Sequence, residues 1–438
     1  MVCAANVAHV FAVSLFVAQM GLLADFIELC FIYSTGFLFI CAGVKKLWHR
    51  FALSDTFLTE TSVKQHWDIF CKVVDNYGDI GICWRLAQQL HIEHGSQIRL
   101  WVDDVDSAKK IIPSLNINLN QQVVDGIVIL QWSGEDKKPE EVFLHAANVV
   151  IEAFACGLPN AYLANMAQQQ SKWVNLEYLS AEAWVDDFHA KPSPKLDGLT
   201  RHFYFPGFTE ITGGLIRTSD IFNKNQMLAD DVQLQNDFWQ SLQLSNHQCL
   251  KVSLFCYPFA PVNQLLGAMA ESAQPIHCYV SDSHIFDQIA RFFGQASIWV
   301  GESYVQQNLT LHVLPFLSQA DYDKLLAACD LNFVRGEDSW VRAIWAGKPF
   351  IWQPYFQDEN AHIKKLNAFL DLFYANLNVK DMICEVHRCW SVGQPPKQVW
   401  NTYLEQLSAI SSYTLQQSQQ LAKQQDLAAK LVIFCNNI

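Results

Sequence analysis

The sequence reads DLNFVRGEDSWVRAIWAGKPF from residue 330 to residue 350. The apolar run Leu331 to Val334 has the length and composition of a buried strand, and a helix is expected to begin at or near Ser339. Gly347 and Pro349 end this helix before a second apolar run, which we expect to be another strand. Strand, helix and strand in this order predict a βαβ unit with parallel strands.

The polar turn between the first strand and the helix carries groups that suit a diphosphate. Free N–H groups and the positive end of the dipole at a helix start attract phosphate. Arg335 can add charge-assisted hydrogen bonds, and Ser339 can add its hydroxyl. Many nucleotide-sugar transferases build a diphosphate site in this way. The alternative is purely structural, with Arg335 paired to Glu337 or Asp338 and Ser339 capping the helix.

Short apolar runs alternate with helical stretches on both sides of this unit. We predict strands at 69–74, 98–102, 127–132, 149–154, 250–255, 276–280, 309–314, 331–334 and 349–352. This alternation predicts the α/β class, with two Rossmann-like doubly wound domains facing a central cleft. Ligands of such sheets bind beyond the carboxyl ends of the strands, so the functional motifs should follow strands.

The length of 438 residues also favours two domains, because a single core stops growing at roughly 250 to 300 residues. We expect an apolar N-terminal extension at 1–66, an N-terminal Rossmann-like domain at 67–226, a polar connector at 227–245, a C-terminal Rossmann-like domain at 246–397 and a C-terminal helical segment at 398–438.

The extension contains two apolar runs, Ala4 to Met20 and Leu29 to Val44, which are separated by acidic residues. Neither run cleanly reaches the roughly 20 residues of a membrane span, and no basic residue precedes the first run as in a secretory signal. Two interpretations stay open. The extension is either a membrane-associating appendage or an over-extended start, with translation beginning nearer Trp67. We favour the second, because the chemical motifs lie downstream.

Composition limits the classes of partner and site. The formal charge of −13 argues against nucleic-acid binding, which depends on Lys and Arg neutralising phosphates. The thirteen cysteines are scattered and contain no C-x-x-C pair, so we predict no metal site. Buried, reduced thiols are typical of a cytoplasmic protein.

A second polar turn, VVDNYGDIG at 73–81, follows the first predicted strand and precedes a helix that begins near Ile82. The glycines permit a tight turn and close approach of a ligand to the backbone. Asp75 and Asp79 suggest acid–base chemistry or cation binding. In the alternative, Asp79 caps the helix and Asp75 stabilises the turn. The turn backbone is expected to be formed by Asn76, Tyr77, Gly78 and Gly81.

Aromatic residues follow two strands of the C-terminal domain. Phe255 and Tyr257 come after one strand, and Phe316 and Gln319 after another. A nucleobase could stack on these rings and accept a hydrogen bond from the amide. The alternative is ordinary core packing.

Several segments carry a family resemblance: Trp67 to Cys71 leading into residues 75–81, Arg99 to Asp104, Gly213 to Leu215, Asp321 to Leu326, and residues 330–349. Together they resemble the bacterial protein-arginine rhamnosyltransferase family EarP, whose members modify translation elongation factor P (EF-P). The resemblance extends from about Trp67 to near Leu370, and residues 1–66 have no counterpart in it.

The resemblance implies a GT-B fold in which the first domain binds the acceptor and the second binds the nucleotide sugar. It also implies dTDP-β-L-rhamnose as donor co-substrate, no cofactor, inversion at the anomeric carbon and an arginine of EF-P as acceptor. Asp79 matches the general base proposed in the family, and Asp75 and Glu337 match acids needed for activity. Donor contacts carry over to Tyr257, Gln319, Arg335, Asp338 and Ser339, with Phe255 and Phe316 around the thymine.

One departure from the family pattern is visible. Where the family is expected to have Trp-His-Ile-Tyr, this chain has Trp352-Gln353-Pro354-Tyr355. A donor role for position 353 is therefore in doubt.

The acceptor determines the chemistry to be explained. The pKa of arginine lies at about 12 or above, so full deprotonation before attack is too costly. We expect Asp75 and Glu337 to orient the guanidinium, while Asp79 takes a proton as the N–C bond forms. Two other functions stay open at this point: a nucleotide-sugar epimerase of GT-B architecture, and a non-catalytic GT-B-like binding module.

Overall fold

The computed structural model describes residues 65–74, 77–132, 145–195, 198–281, 283–394 and 397–438. Residues 1–64, which hold almost all of the predicted N-terminal extension, lie outside this set, and so do Asp75 and Asn76. Both interpretations of the extension therefore remain predictions. Within the described part of the chain, no helix is long and apolar enough to span a membrane.

The first lobe is built on an eight-stranded sheet. Its strands are β1 (His66–Cys71), β2 (Gln97–Val102), β3 (Gln121–Val124), β4 (Ile127–Gln131), β5 (Val149–Ala153), β6 (Lys172–Leu176), β7 (Pro192–Pro194) and β8 (Thr200–Tyr204). Its helices are α1 (Gly78–His94), α2 (Val105–Ile111), α3 (Asn160–Gln169) and α4 (Trp184–Phe188). The strand order is β3-β4-β2-β1-β5-β6-β8-β7, and only β3 and β7 pair antiparallel to their neighbours.

Two helices, α5 (Ile221–Asp230) and α6 (Val232–Ser241), precede the second lobe, which is built on a six-stranded sheet. The strands are β9 (Leu250–Leu254), β10 (Ile276–Ser281), β11 (Ser303–Gln306), β12 (Leu309–Leu314), β13 (Leu331–Arg335) and β14 (Phe350–Gln353). The helices are α7 (Val262–Ala270), α8 (Phe286–Phe293), α9 (Gln319–Ala328), α10 (Asp338–Ala346), α11 (Ala361–Phe373) and α12 (Lys380–Ser391). The strand order is β11-β12-β10-β9-β13-β14, with only β11 antiparallel.

The predicted α/β class and the two doubly wound sheets are confirmed. Both polar turns lie where the strand order of a sheet reverses. In the first sheet β1 lies between β2 and β5, and in the second β9 lies between β10 and β13. At such a strand, the connections to the two neighbouring strands run in opposite directions. This leaves a crevice beyond the carboxyl end of the strand. In the second sheet this crevice lies between β9 and its neighbour β13, so the turn after β13 borders it, as the turn after β1 borders the crevice of the first sheet.

The first strand begins three residues earlier than predicted, since β1 covers His66–Cys71 rather than 69–74. The reason is Asp68, a carboxylate that is fully buried within the strand. Arg99 on β2 donates two hydrogen bonds of 2.6 Å to it, and the Tyr162 hydroxyl donates a third. A buried charge is tolerated when it is paired and hydrogen-bonded in this way.

The C-terminal segment, for which helices were predicted, contains α13 (Lys397–Glu405), α14 (Leu407–Leu421) and α15 (Leu427–Asn437). Helix α15 returns to the first lobe. Asp426 caps this helix through the Ala429 N–H at 3.0 Å and also accepts a hydrogen bond from Gln89 on α1. The Leu427 N–H donates to the Leu215 carbonyl at 3.0 Å. The chain therefore crosses between the lobes twice.

Candidate active site

A cleft with an empty volume of about 700 Å³ separates the two sheets at the carboxyl ends of their central strands. Both lobes contribute to its walls. The lining residues are Tyr77, Gly78, Arg85, Ile111, Phe255, Tyr257, Ser281, Phe316, Leu317, Gln319, Tyr322, Arg335, Gly336, Glu337, Asp338 and Ser339. Every donor-binding residue predicted from the sequence is among them.

The turn from β13 into α10 is held by hydrogen bonds to its backbone groups. Gly336 has a φ of 62°, a left-handed conformation that favours glycine. Its N–H donates to the Gln353 carbonyl at 3.0 Å, and its carbonyl accepts from the Trp352 indole at 2.7 Å. The Ser339 hydroxyl accepts from the Arg335 N–H at 3.1 Å and donates to the Arg335 carbonyl. The hydroxyl thus braces the turn, and the residues at the start of α10 line the cleft.

Arg335 is the last residue of β13, and its guanidinium lies between two aromatic rings. The guanidinium carbon is 4.3 Å from the ring centre of Phe255 and 4.6 Å from that of Tyr257. Among the described residues, no carboxylate lies within ion-pair distance of Arg335, so the alternative pairing with Glu337 or Asp338 is wrong. Desolvation by the two rings strengthens the interaction of this cation with any anion in the cleft.

Glu337 is the last residue before α10, and its side chain makes no capping hydrogen bond to that helix. Burial raises the pKa of its carboxyl to about 7. Lys365 and a hydrogen bond from the Leu179 N–H oppose this shift, while the charges of Asp79 and Asp338 add to it. Glu337 therefore adjoins groups of both lobes. An acid with a pKa near 7 in a cleft is a candidate for acid–base chemistry.

Asp79 lies in the first turn of α1 and is 1% exposed. One carboxylate oxygen accepts from the Val74 N–H at 2.8 Å, and the other accepts from the Tyr178 hydroxyl at 3.2 Å. Asp79 is the second residue of α1, and the Val74 N–H that it accepts from lies before the helix. These two bonds fix the orientation of the carboxylate beside the cleft, where its charge acts on Glu337.

Two residues that were predicted to bind the donor form hydrogen bonds to the first lobe. The Gln319 amide donates to the Gly81 carbonyl at 3.1 Å, and Asp338 accepts from the Arg85 Nε at 2.8 Å. A Cβ added to Gly81 would lie 3.2 Å from the Gln319 amide nitrogen and 3.6 Å from an Asp338 oxygen. Glycine at 81 therefore permits α1 and the second lobe to approach closely.

Aromatic side chains from both lobes meet at the cleft wall. Tyr77 packs edge-on against Phe316 at 5.1 Å between ring centres. The Tyr257 N–H donates to the Gln353 side-chain oxygen at 2.8 Å. Gln353 is fully buried, so at this departure from the family pattern the side chain supports the Tyr257 loop.

Three residues of this region were not selected by the sequence analysis. Tyr178 bonds to Asp79, Lys365 lies 5.9 Å from the centre of the Tyr178 ring, and Arg85 ties α1 to the second lobe. Of these three residues, only Arg85 could have been selected from a pattern in the sequence. Gly78, Gly81 and Arg85 are spaced i, i+3, i+7 and so share one face of α1.

Residues 67–436 match the model of the family described as elongation factor P (EF-P) rhamnosyltransferase EarP. The chain is 40% identical over 380 residues to a protein-arginine rhamnosyltransferase of Pseudomonas putida, covering 86% of this chain and all of that protein. It is also 40% identical to the protein-arginine rhamnosyltransferase of Pseudomonas aeruginosa, covering 84% of this chain and 98% of the relative.

A solved structure described as the basis for EarP-mediated arginine glycosylation of translation elongation factor EF-P is similar throughout. The TM-score is 0.62 at 30% identity, and the match covers 85% of this chain and 99% of the solved chain. The two-lobed architecture is thus the GT-B fold, as the resemblance implied.

Proposed function

This chain belongs to the EarP family of EF-P rhamnosyltransferases, and from that premise we propose that it transfers L-rhamnose from dTDP-β-L-rhamnose to an arginine of EF-P with inversion. It is a protein-arginine rhamnosyltransferase by family. One observation carries the proposal for its mechanism. Glu337 from the second lobe lines the same cleft as Arg335 and the start of α10, and the charge of Asp79 from the first lobe acts on Glu337.

The second lobe binds the donor. Arg335 and the N–H groups at the start of α10 receive the diphosphate, because both carry positive charge where the phosphates would lie. Phe316 and Tyr77 form the wall against which the thymine packs. Gln319 can exchange its bond to Gly81 for one to the donor, since its amide lines the cleft.

The acceptor guanidinium enters between the acids of the two lobes. Glu337, whose pKa is raised to about 7, ionises fully when a guanidinium lies beside it, because an opposite charge favours the charged carboxyl. Glu337 and Asp75, the second of which lies outside the described residues, hold the planar guanidinium in line with the anomeric carbon. This positioning supplies much of the rate acceleration.

Transfer is a single displacement. A guanidinium nitrogen attacks the anomeric carbon from the face opposite the diphosphate, the N–C bond forms and the C–O bond to dTDP breaks. The nitrogen becomes acidic as the bond forms, and Asp79 accepts its proton. The electron pair of the broken bond remains on the diphosphate, which Arg335 and the α10 start stabilise. Inversion follows from the single displacement.

We propose that no metal and no cofactor takes part, because protein groups supply the positive charge at the diphosphate. We place the reaction in the cytoplasm, and the ten described cysteines, which are free thiols, support this compartment.

The test is the intact mass of EF-P after incubation with dTDP-β-L-rhamnose and this enzyme. A gain of one deoxyhexosyl residue on an arginine is expected. If EF-P and the donor both stay unchanged, the result would favour the non-catalytic binding module. If free sugar or an epimerised donor forms while EF-P stays unmodified, the result would favour the epimerase. Asp106→Asn is a matched control for acid variants, because Asp106 is exposed on α2.

A further inference from the structure

Arg85 occupies a position between the lobes that the proposed mechanism does not use. It lies on α1 in the first lobe, and its side chain is 12% exposed. Its Nε donates to Asp338 at 2.8 Å, and its two terminal nitrogens donate to the two oxygens of Asp323 at 3.0 Å each. Both carboxylates belong to the second lobe. One guanidinium therefore satisfies two acids across the cleft.

The two acids differ in the ion pairs that each would keep if Arg85 were removed. Asp323 also accepts two hydrogen bonds from Arg342 on α10, at 2.8 and 2.7 Å. Asp338 has Arg85 as its single ion-pair partner within the part of the chain that the structure describes. Loss of Arg85 would therefore leave Asp323 paired and Asp338 uncompensated.

The position of Asp338 makes this charge important. Asp338 is the first residue of α10 and lines the cleft at the helix start that we assign to the diphosphate. A carboxylate and a diphosphate in one partly desolvated cleft repel each other, and the low dielectric strengthens the repulsion. Arg85 cancels the charge of Asp338 and fixes its side chain against α1.

We propose that Arg85 is a positioning residue for the donor: it neutralises and orients Asp338, so that the start of α10 can accept a diphosphate. The inference rests on the proposed function and names a residue of its donor site. Arg85 acts through Asp338 and not by direct contact with the reacting atoms. Its effect must therefore depend on the phosphates of the ligand and on the charge at position 338.

The experiment compares dTDP with thymidine, which lacks the phosphates. Calorimetry measures the Kd of both ligands for the wild type, Arg85→Met, Asp338→Asn and the double variant. Arg85→Met should weaken dTDP binding about tenfold or more and thymidine binding less than about threefold. Adding Asp338→Asn to Arg85→Met should recover dTDP affinity to within about threefold of the wild type. The KM for dTDP-β-L-rhamnose should follow the same order.

The control is Arg291→Met, which removes one positive charge from an exposed residue of α8. It should leave both affinities unchanged. Unchanged dTDP affinity in Arg85→Met, equal losses for dTDP and thymidine, or no recovery in the double variant would each overturn the role of Arg85. A wild type that binds thymidine but not dTDP would overturn the donor proposal itself. Thermal unfolding of each variant confirms that the protein compared is folded.

Discussion

The replacement Asp79→Asn isolates proton transfer from binding. In the structure the Val74 N–H donates to an Asp79 carboxylate oxygen at 2.8 Å, and the side-chain oxygen of asparagine can accept the same bond. The amide nitrogen of asparagine can donate to the Tyr178 hydroxyl oxygen. The local fold should therefore persist. Losing a general base costs about 10²- to 10⁴-fold in rate, or about 3 to 5 kcal/mol in the activation free energy. Asp79 does not line the donor cleft, so the Kd for dTDP should change less than about twofold.

The assay is a single-turnover time course in which intact-mass measurements follow the modified fraction of EF-P, with calorimetry of dTDP on the same preparation. A second readout follows from the charge of Asp79, which helps to raise the pKa of Glu337 to about 7. Removing that charge should lower this pKa. Turnover within about threefold of the wild type would refute Asp79 as the base, since general bases contribute far more. Asp106→Asn should behave as the wild type.

Four further outcomes are expected. Arg335→Ala should weaken dTDP binding about 10- to 100-fold by calorimetry, because a charge-assisted interaction is lost, and unchanged affinity would contradict its role. Because Glu337 must be a carboxylate to hold the guanidinium, kcat/KM for EF-P should rise as the pH passes through about 7. Glu337→Gln should be slower and should lack this rise. A rise that persists in Glu337→Gln would show that another group causes the pH dependence. His277 and His312 share a 2.9 Å hydrogen bond, and burial lowers both pKa values to about 4. Between about pH 6.5 and 4 the unfolded chain therefore binds more protons than the folded chain, so the contribution to stability is full above pH 6.5 and is lost toward pH 4. The urea midpoint should drop over this range, and it should drop less in His312→Gln. An equal drop in the variant would show that this histidine pair is not the cause. EDTA should leave turnover unchanged, whereas inhibition that added Mg²⁺ reverses would contradict the metal-free proposal.

The strands that were predicted are those whose apolar runs are continuous. Residues 309–314 were predicted as a strand and form β12 with the same bounds. Strands β6 and β8 were missed, because Lys172, Asn175 and the run from Thr200 to His202 interrupt the apolar pattern. These polar side chains are accommodated by neighbours distant in sequence. An example is the Lys172 ammonium, which donates to the Cys435 carbonyl of α15.

The candidate site was predicted as a set of residues but not as a set of contacts. Strand–turn–helix spacing places Arg335 and Ser339 at a helix start, and this relation is local. The bonds from Arg85 to Asp323 and Asp338 join residues that are 238 and 253 positions apart. Packing of the two lobes, which no local pattern encodes, decides these bonds. The same holds for the effect of Asp79 on Glu337.

The central claim is that one cleft holds the donor diphosphate at Arg335 and the start of α10, with Asp79 on the opposite side. A crystal structure of the enzyme with dTDP-β-L-rhamnose bound to the Asp79→Asn variant tests it most directly. We expect phosphate oxygens within hydrogen-bond distance of the Arg335 guanidinium and of backbone N–H groups at residues 338–340, with the anomeric carbon facing residue 79. A donor bound elsewhere, or with its anomeric carbon directed away from residue 79, would contradict the account.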